Sequence, residues 1–192
     1  MAEKNADLRV QRTFHMLKNA FTQLLEEKVY EEITINEICD RAFIRRTTFY
    51  RHFTDKDNYF RFYVSDLMND FLKEYELKTA TIDIPTYCMS MCEELSHFMQ
   101  QHQGIIHVMR QSSNSGYYQI YDILIAEVQK NFDTFLKQND LVLPGGLPAR
   151  LVSVYYTSAI LGVLHYIYQN QSLSEDQSEW LNAISLLLSF AK

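Results

Sequence analysis

A chain of 192 residues with 47% apolar content can bury a sizeable core, as one domain or as a small domain joined to a medium one. Only five Gly and three Pro, with long runs of apolar residues at three- and four-residue steps, favour an all-helical chain over a strand-rich one. The net charge of −6 argues against nucleic acid only as a sum: residues 1–62 hold eleven of the eighteen Lys and Arg against ten acids, and the remainder holds seven against fourteen.

Val10, Phe14, Leu17, Phe21 and Leu24 form one apolar stripe and predict a first helix over about Leu8 to Lys28. Thr34 followed by Glu37 has the spacing of a capping box and opens a second helix, whose inward face is Ile35, Ile38, Cys39 and Ala42. After a break at Phe43, Ile44 and Arg45, a helix of two turns runs from Arg46 to His52, with Phe49 and Phe53 turned inward. Thr54 or Asp55 caps the next helix, Lys56 to Leu77, which at 1.5 Å per residue is roughly 30 Å long and can act as a lever between domains. Further helices are expected over Pro85–Gln101, Ile105–Gln111, Tyr117–Asn139, Ala149–Asn170 and Ser174–Phe190.

The run from Leu151 to Ser174 holds no Asp, Glu, Lys or Arg. Its Ser153, Thr157, Ser158 and His165, and the lack of a flanking basic cluster, favour a helix buried between its own domain and a partner over a membrane span. The first twelve residues are polar with no apolar signal core, and three cysteines form no disulfide framework, so the expectation is a cytoplasmic protein. Cys88 and Cys92 stand four apart with His97, His102 and His107 following, but the spacing is no standard zinc set, and no metal or other cofactor is expected. The sequence has no glycine-rich phosphate loop, nucleophile elbow or HExxH motif, so no enzyme is expected.

The chemistry concentrates in residues 34–56. Within residues 40–56, Arg41, Arg45, Arg46, Arg51 and Lys56 stand with only two acids, Asp40 and Asp55. Three helices separated by a few residues, the third short, basic and rich in hydroxyls, make a helix-turn-helix motif with its third helix in the major groove. Arg46, Thr47, Tyr50 and Arg51 supply the outward donors that reading base edges requires. Thr34, Thr48, His52, Lys56 and the capped helix starts supply anchors for phosphate.

Ile33-Thr34-Ile35 through Ala42, then Thr47-Thr48-Phe49-Tyr50-Arg51-His52-Phe53, then Asp55-Lys56-Asp57, resemble the signature of the TetR family of bacterial transcriptional regulators, over about residues 9–62. The resemblance implies base contacts from Arg46, Thr47, Tyr50 and Asn36, and phosphate contacts from Thr48, His52 and Lys56. Two positions depart from it: Phe43 stands where the family usually has Gly, and Arg45 where it has a small cap. A glycine tolerates a left-handed backbone that Phe adopts only at a cost, so the winding of this turn is open, and Arg45 becomes a candidate extra phosphate contact.

The implied architecture is all-α: a helix-turn-helix domain, residues 1–55, and a larger helical sensing and dimerisation bundle, residues 56–192, with about nine helices in total. The resemblance also implies a homodimer through the last two helices. Ala159 and Gly162 permit close approach beside Val163, and Trp180, Ile184, Leu187 and Leu188 form a stripe on the last helix. Two-fold symmetry then requires a palindromic site on double-stranded DNA. Met89, Cys92, Phe98, Tyr121 and Tyr155 are candidates to line an apolar ligand pocket, although an ordinary core has the same composition. The functional expectation is a repressor released from its operator by a small-molecule signal; the alternative is a regulator or co-activator controlled by a protein partner.

Overall fold

The computed structural model describes residues 2–76, 83–110, 115–139 and 143–169. Among them are eight α-helices and no strand: α1 Ala2–Glu27, α2 Ile35–Arg41, α3 Arg46–His52, α4 Lys56–Glu76, α5 Ile84–Gln101, α6 Gln103–Arg110, α7 Ser115–Asn139 and α8 Ala149–Gln169. The all-helical expectation holds. The largest differences from the sequence reading are near the N-terminus, where α1 begins at Ala2 rather than Leu8 and a 3-10 turn, Tyr30–Glu32, stands before α2; α4, α5, α6 and α7 have ends shifted by one or two residues. The helix expected over Ser174–Phe190 lies outside the described residues.

Local chemistry accounts for the helix starts. Thr34 and Glu37 form the expected capping box: the Thr34 N–H donates to Glu37 Oε2 at 2.9 Å, and the Glu37 N–H donates to Thr34 Oγ1 at 3.3 Å. Asp55 rather than Thr54 caps α4, its Oδ1 accepting from the Asn58 N–H at 2.7 Å. Asp83 caps α5 by accepting from the Thr86 N–H at 2.9 Å, and Pro85 occupies the first turn, where its missing donor costs nothing.

The N-terminal helices close on an aromatic cluster. Phe49 of α3 is wholly buried, within 5.7 Å, centroid to centroid, of Phe53, Tyr59 and its neighbour Tyr50. Phe21 of α1 meets Tyr59, Phe60 and Tyr63 of α4 edge-on at 5.1–5.8 Å. Burying each such ring contributes about 1.5–3 kcal/mol relative to leaving it in water, so these rings tie α4 to the N-terminal triad. Polar ties reinforce the seam: Lys18 reaches Asp66 at 2.6 Å and Asp70 at 3.2 Å, and Thr22 shares a hydrogen bond with the Tyr63 hydroxyl at 2.9 Å.

The C-terminal body packs α7 against α4 and α8, with α5 and α6 beneath. Its interior mixes rings with hydrogen-bonded hydroxyls. Tyr75 donates to the Tyr87 carbonyl at 3.1 Å, Tyr87 donates to Asn131 and stacks on Phe135 at 4.0 Å, and Ser153 donates to the Gln129 carbonyl at 3.5 Å. Two glycines bring this body against the N-terminal helices. A Cβ on Gly104 would stand 2.7 Å from Leu25 Cβ, and one on Gly116 would stand 2.8 Å from Val108 Cγ1 and 3.0 Å from the Tyr30 ring.

Candidate nucleic-acid interface

Helix α3 begins without a side-chain cap. Arg45 occupies the capping position in extended backbone, φ −77 and ψ 145, and no acid lies in the first turn. The preceding turn closes with two backbone bonds, Ile44 N–H to the Cys39 carbonyl at 3.0 Å and Phe43 N–H to the Asp40 carbonyl at 3.2 Å. These are the two bonds of a Schellman motif, which needs a left-handed residue between them. Phe43 is that residue, with φ 53, so the turn keeps the winding that a glycine would give it. The cost, about 1–2 kcal/mol for a side chain in this region, falls on Phe43, whose ring is 89% exposed.

Because Phe49 points inward, the opposite side of α3 faces solvent. Arg46, Thr47 and Arg51 are exposed, and Tyr50 is 54% exposed. Arg45 and Asn36 are exposed beside them, and Thr48 is half-buried. Among the described residues Arg45, Arg46 and Arg51 make no ion pair, whereas Arg41 is held by both oxygens of Glu27 at 2.6 and 2.7 Å. The motif's four arginines thus divide into one that binds α2 to α1 and three that face outward.

The expected phosphate anchors are placed less freely. Thr34 also donates its hydroxyl to Glu37 at 2.8 Å, so its side chain is engaged in the cap. Hydrogen bonds from Lys28 and from Thr34 hold the Glu37 carboxyl down to about 2. His52 is half-buried, its ring edge-on to Phe14 at 5.1 Å. Lys56 Nζ donates to the carbonyls of Tyr30 at 2.8 Å and Glu31 at 3.2 Å and lies 4.3 Å above the Tyr30 ring. Burial holds its ammonium below the ordinary lysine range. Its three ammonium donors still leave one direction open after the two carbonyls are served.

The residues considered for a pocket are scattered. Cys92 and Phe98 are buried, Met89 and Tyr121 half-buried, and Tyr155 is 57% exposed on α8. Phe98 lines a hollow of about 420 Å³ between α1, α4 and α5, with Phe71, Tyr75, Lys18 and His102. Burial pushes the Cys92 thiol up to about 12 and Cys88 higher still, so both are inert apolar fillers of α5. On α8, Ala159 and Val163 are half-buried, and Gly162 is exposed with nothing within 4 Å of an added Cβ. Trp180, Ile184, Leu187 and Leu188 lie outside the described residues. No described helix is long and apolar enough to cross a membrane.

A basic, outward-facing short helix, held against two others by buried rings and joined to a helical body, is the arrangement of a helix-turn-helix motif. Residues 19–61 match the family model of bacterial regulatory proteins, tetR family. The uncharacterized HTH-type transcriptional regulator YxbF of Bacillus subtilis (strain 168) is 30% identical over 118 residues, 56% of this chain and 31% of that protein. The chain therefore spans less than a third of this relative. The fold as a whole is similar to that of FadR from Bacillus halodurans, a fatty acid degradation regulator: TM-score 0.68, 15% identity, 91% of this chain and 93% of that one. FadR from Bacillus subtilis, a transcriptional regulator crystallised in complex with stearoyl-CoA, is similar at TM-score 0.64 and 15% identity over 91% and 97% of the two chains. A TetR-family regulator from Syntrophomonas wolfei matches at TM-score 0.61 and 17% identity over 97% and 94%.

The turn at Phe43 and the capture of Lys56 by the Tyr30 and Glu31 carbonyls escape the sequence reading. The first had a signal, an unexpected Phe at the glycine position. The second had none, because it depends on where the 3-10 turn lies against α4.

Proposed function

We propose that this chain is a DNA-binding transcription regulator that acts as a homodimer in the cytoplasm, a repressor released from a palindromic operator by a signal bound to its C-terminal domain. The observation that carries the reading is the division of α3: Phe49 is wholly buried, while Arg46, Thr47, Tyr50 and Arg51 stand outward, with no ion-pair partner for either arginine among the described residues. In this reading Arg46, Thr47, Tyr50, Arg51 and Asn36 face the bases, while Arg45, Thr34, Thr48, His52 and Lys56 hold the backbone. Residues 1–55 form the reading domain and 56–192 the sensing and dimerising domain.

Support for the dimer comes from α8. Leu151, Val154, Tyr155, Gly162 and Tyr166 are exposed at helical spacing, a mainly apolar stripe broken by Ser158 on a helix without a formal charge beyond Arg150. A stripe of this kind is what a partner helix covers. For the signal, the first ligand to test is a long-chain acyl-CoA, because a fold neighbour was crystallised with stearoyl-CoA.

The experiment is selection of bound duplexes from a random pool, followed by titration of the winner against the parent and Arg46→Ala. A base-reading arginine contributes about 1–3 kcal/mol of discrimination, so the variant should bind the selected site about ten- to a hundredfold more weakly while keeping its melting temperature. Equal affinity for the two proteins would refute the assignment of α3.

A further inference from the structure

The hollow between α1, α4 and α5 holds about 420 Å³, inside the range of about 300–1,000 Å³ usual for small-molecule sites. Part of its lining is apolar: Leu67, Phe71 and Phe98, the two phenyl rings 5.0 Å apart, and the ring of Tyr75, whose hydroxyl donates to the Tyr87 carbonyl at 3.1 Å. The polar part is rich in acceptors and in negative charge. Lys18 of α1 reaches Asp66 at 2.6 Å and Asp70 at 3.2 Å, so one ammonium serves two carboxylates, and Glu94 of α5 adds a third. The Asp70 side chain is 65% exposed, which leaves it room to accept from a second cation. A carbonyl oxygen only accepts, so the 2.7 Å contact between His102 Nδ1 and the Phe98 carbonyl puts the ring proton on Nδ1, and in the neutral ring Nε2 is a further acceptor. The Gln101 amide donates to His97 Nε2 at 2.9 Å, so this donor of the rim is engaged within the protein. A molecule complementary to such a lining carries a flat apolar ring and a positively charged donor.

We propose that this hollow is a binding site for a small aromatic amine in its ammonium form, with the ring against Phe71 and Phe98 and the ammonium at Asp70, where Glu94 and His102 Nε2 are further acceptors. An ammonium beside these rings also gains cation–π attraction. The same carboxylates repel the phosphates of an acyl-CoA, so the site stands apart from any that would take such a ligand. Occupancy has a competitor within the fold. Lys18 and the ammonium of the amine share Asp70, so a bound amine weakens one polar tie between α1 and α4.

The test is calorimetric titration of the full chain with three probes that share one ring: tryptamine, tryptophol and indole acetate. Tryptamine, protonated at neutral pH, should bind about tenfold more tightly than the alcohol, as a charge-assisted hydrogen bond allows, and the acetate should not bind. Two variants locate the site. Asp70→Asn should reduce the preference for tryptamine over tryptophol. Lys18→Met removes the competitor while keeping the length of the side chain, and should tighten tryptamine binding about two- to fivefold. The two shifts have opposite signs, so a general loosening of the fold does not imitate them, and melting temperatures check that both variants are folded. Equal affinity for the three probes, no heat from tryptamine at millimolar concentration, or a tryptamine affinity that neither variant moves would overturn the proposal. None of these measurements involves DNA, so failure here and failure of the DNA-binding reading are told apart.

Discussion

The N-terminal triad and the C-terminal body solve the same packing problem with different materials. In the triad, rings pack on rings and nearly every polar side chain caps a helix, pairs across the surface or faces solvent. In the body, hydroxyls and amides are taken inside: Tyr75, Tyr87, Asn131 and Ser153 are all buried. An apolar core tolerates small errors in side-chain direction, whereas a buried polar chain is satisfied in one arrangement only. The triad is thus built as a rigid block, and the body as a set of helices whose relative placement is specified by hydrogen bonds.

That contrast can be tested by substitution. The largest effect belongs to the triad: Phe49→Ala should destabilise by about 3–5 kcal/mol in chemical denaturation, since a wholly buried ring leaves a cavity among other rings. A loss under 2 kcal/mol would show that the triad collapses around the gap and is not a rigid block. In the body, Tyr87→Phe keeps the ring on Phe135 and removes only the hydroxyl donated to Asn131; the expected loss is about 1–3 kcal/mol. Neutrality there would mean that the polar chain specifies nothing. Phe43→Gly works in the opposite direction. Relieving a left-handed phenylalanine whose ring is exposed should raise stability by about 1 kcal/mol, seen as a rise of a few degrees in the melting temperature.

The smallest effect is one of acidity. Hydrogen bonds from Lys28 and Thr34 hold the Glu37 carboxyl at about 2, below its ordinary 4.5. A depressed carboxyl stabilises the fold above the unfolded value and loses that contribution as pH falls toward the folded one. Urea melts of Glu37→Gln should therefore show a shallower fall between pH 4.5 and pH 2 than those of the parent. Parallel curves would remove Glu37 from the acid response of the triad.

How much could be read from sequence follows the same division. The α2 cap was legible because Thr34 and Glu37 stand within one turn of each other, and α3 because Phe49 and Phe53 leave Arg46, Thr47 and Tyr50 only the other side. The winding at Phe43 was not legible, since two backbone bonds and the packing of Ile44 override the preference of the residue itself. Nor was the role of Lys56, whose partners are carbonyls of another segment. In the body, helix positions were legible from periodicity, but Met89, Cys92, Phe98, Tyr121 and Tyr155 were grouped by composition alone, and composition does not say which residues meet. The extension of α1 back to Ala2 went unread because those residues carry no apolar stripe to mark them.

The bare Cα positions of Gly104 and Gly116 have a practical consequence for anyone building chimeras. Transplanting a foreign reading head onto this body by a cut near residue 55 would import a new surface opposite two sites with no room to spare. Donors with a bulkier residue than Leu25, or lacking an aromatic ring in place of Tyr30, would leave a clash or a hole at the graft. Compatibility between heads and bodies in such hybrids should therefore follow the identity of these few facing residues more closely than overall sequence identity.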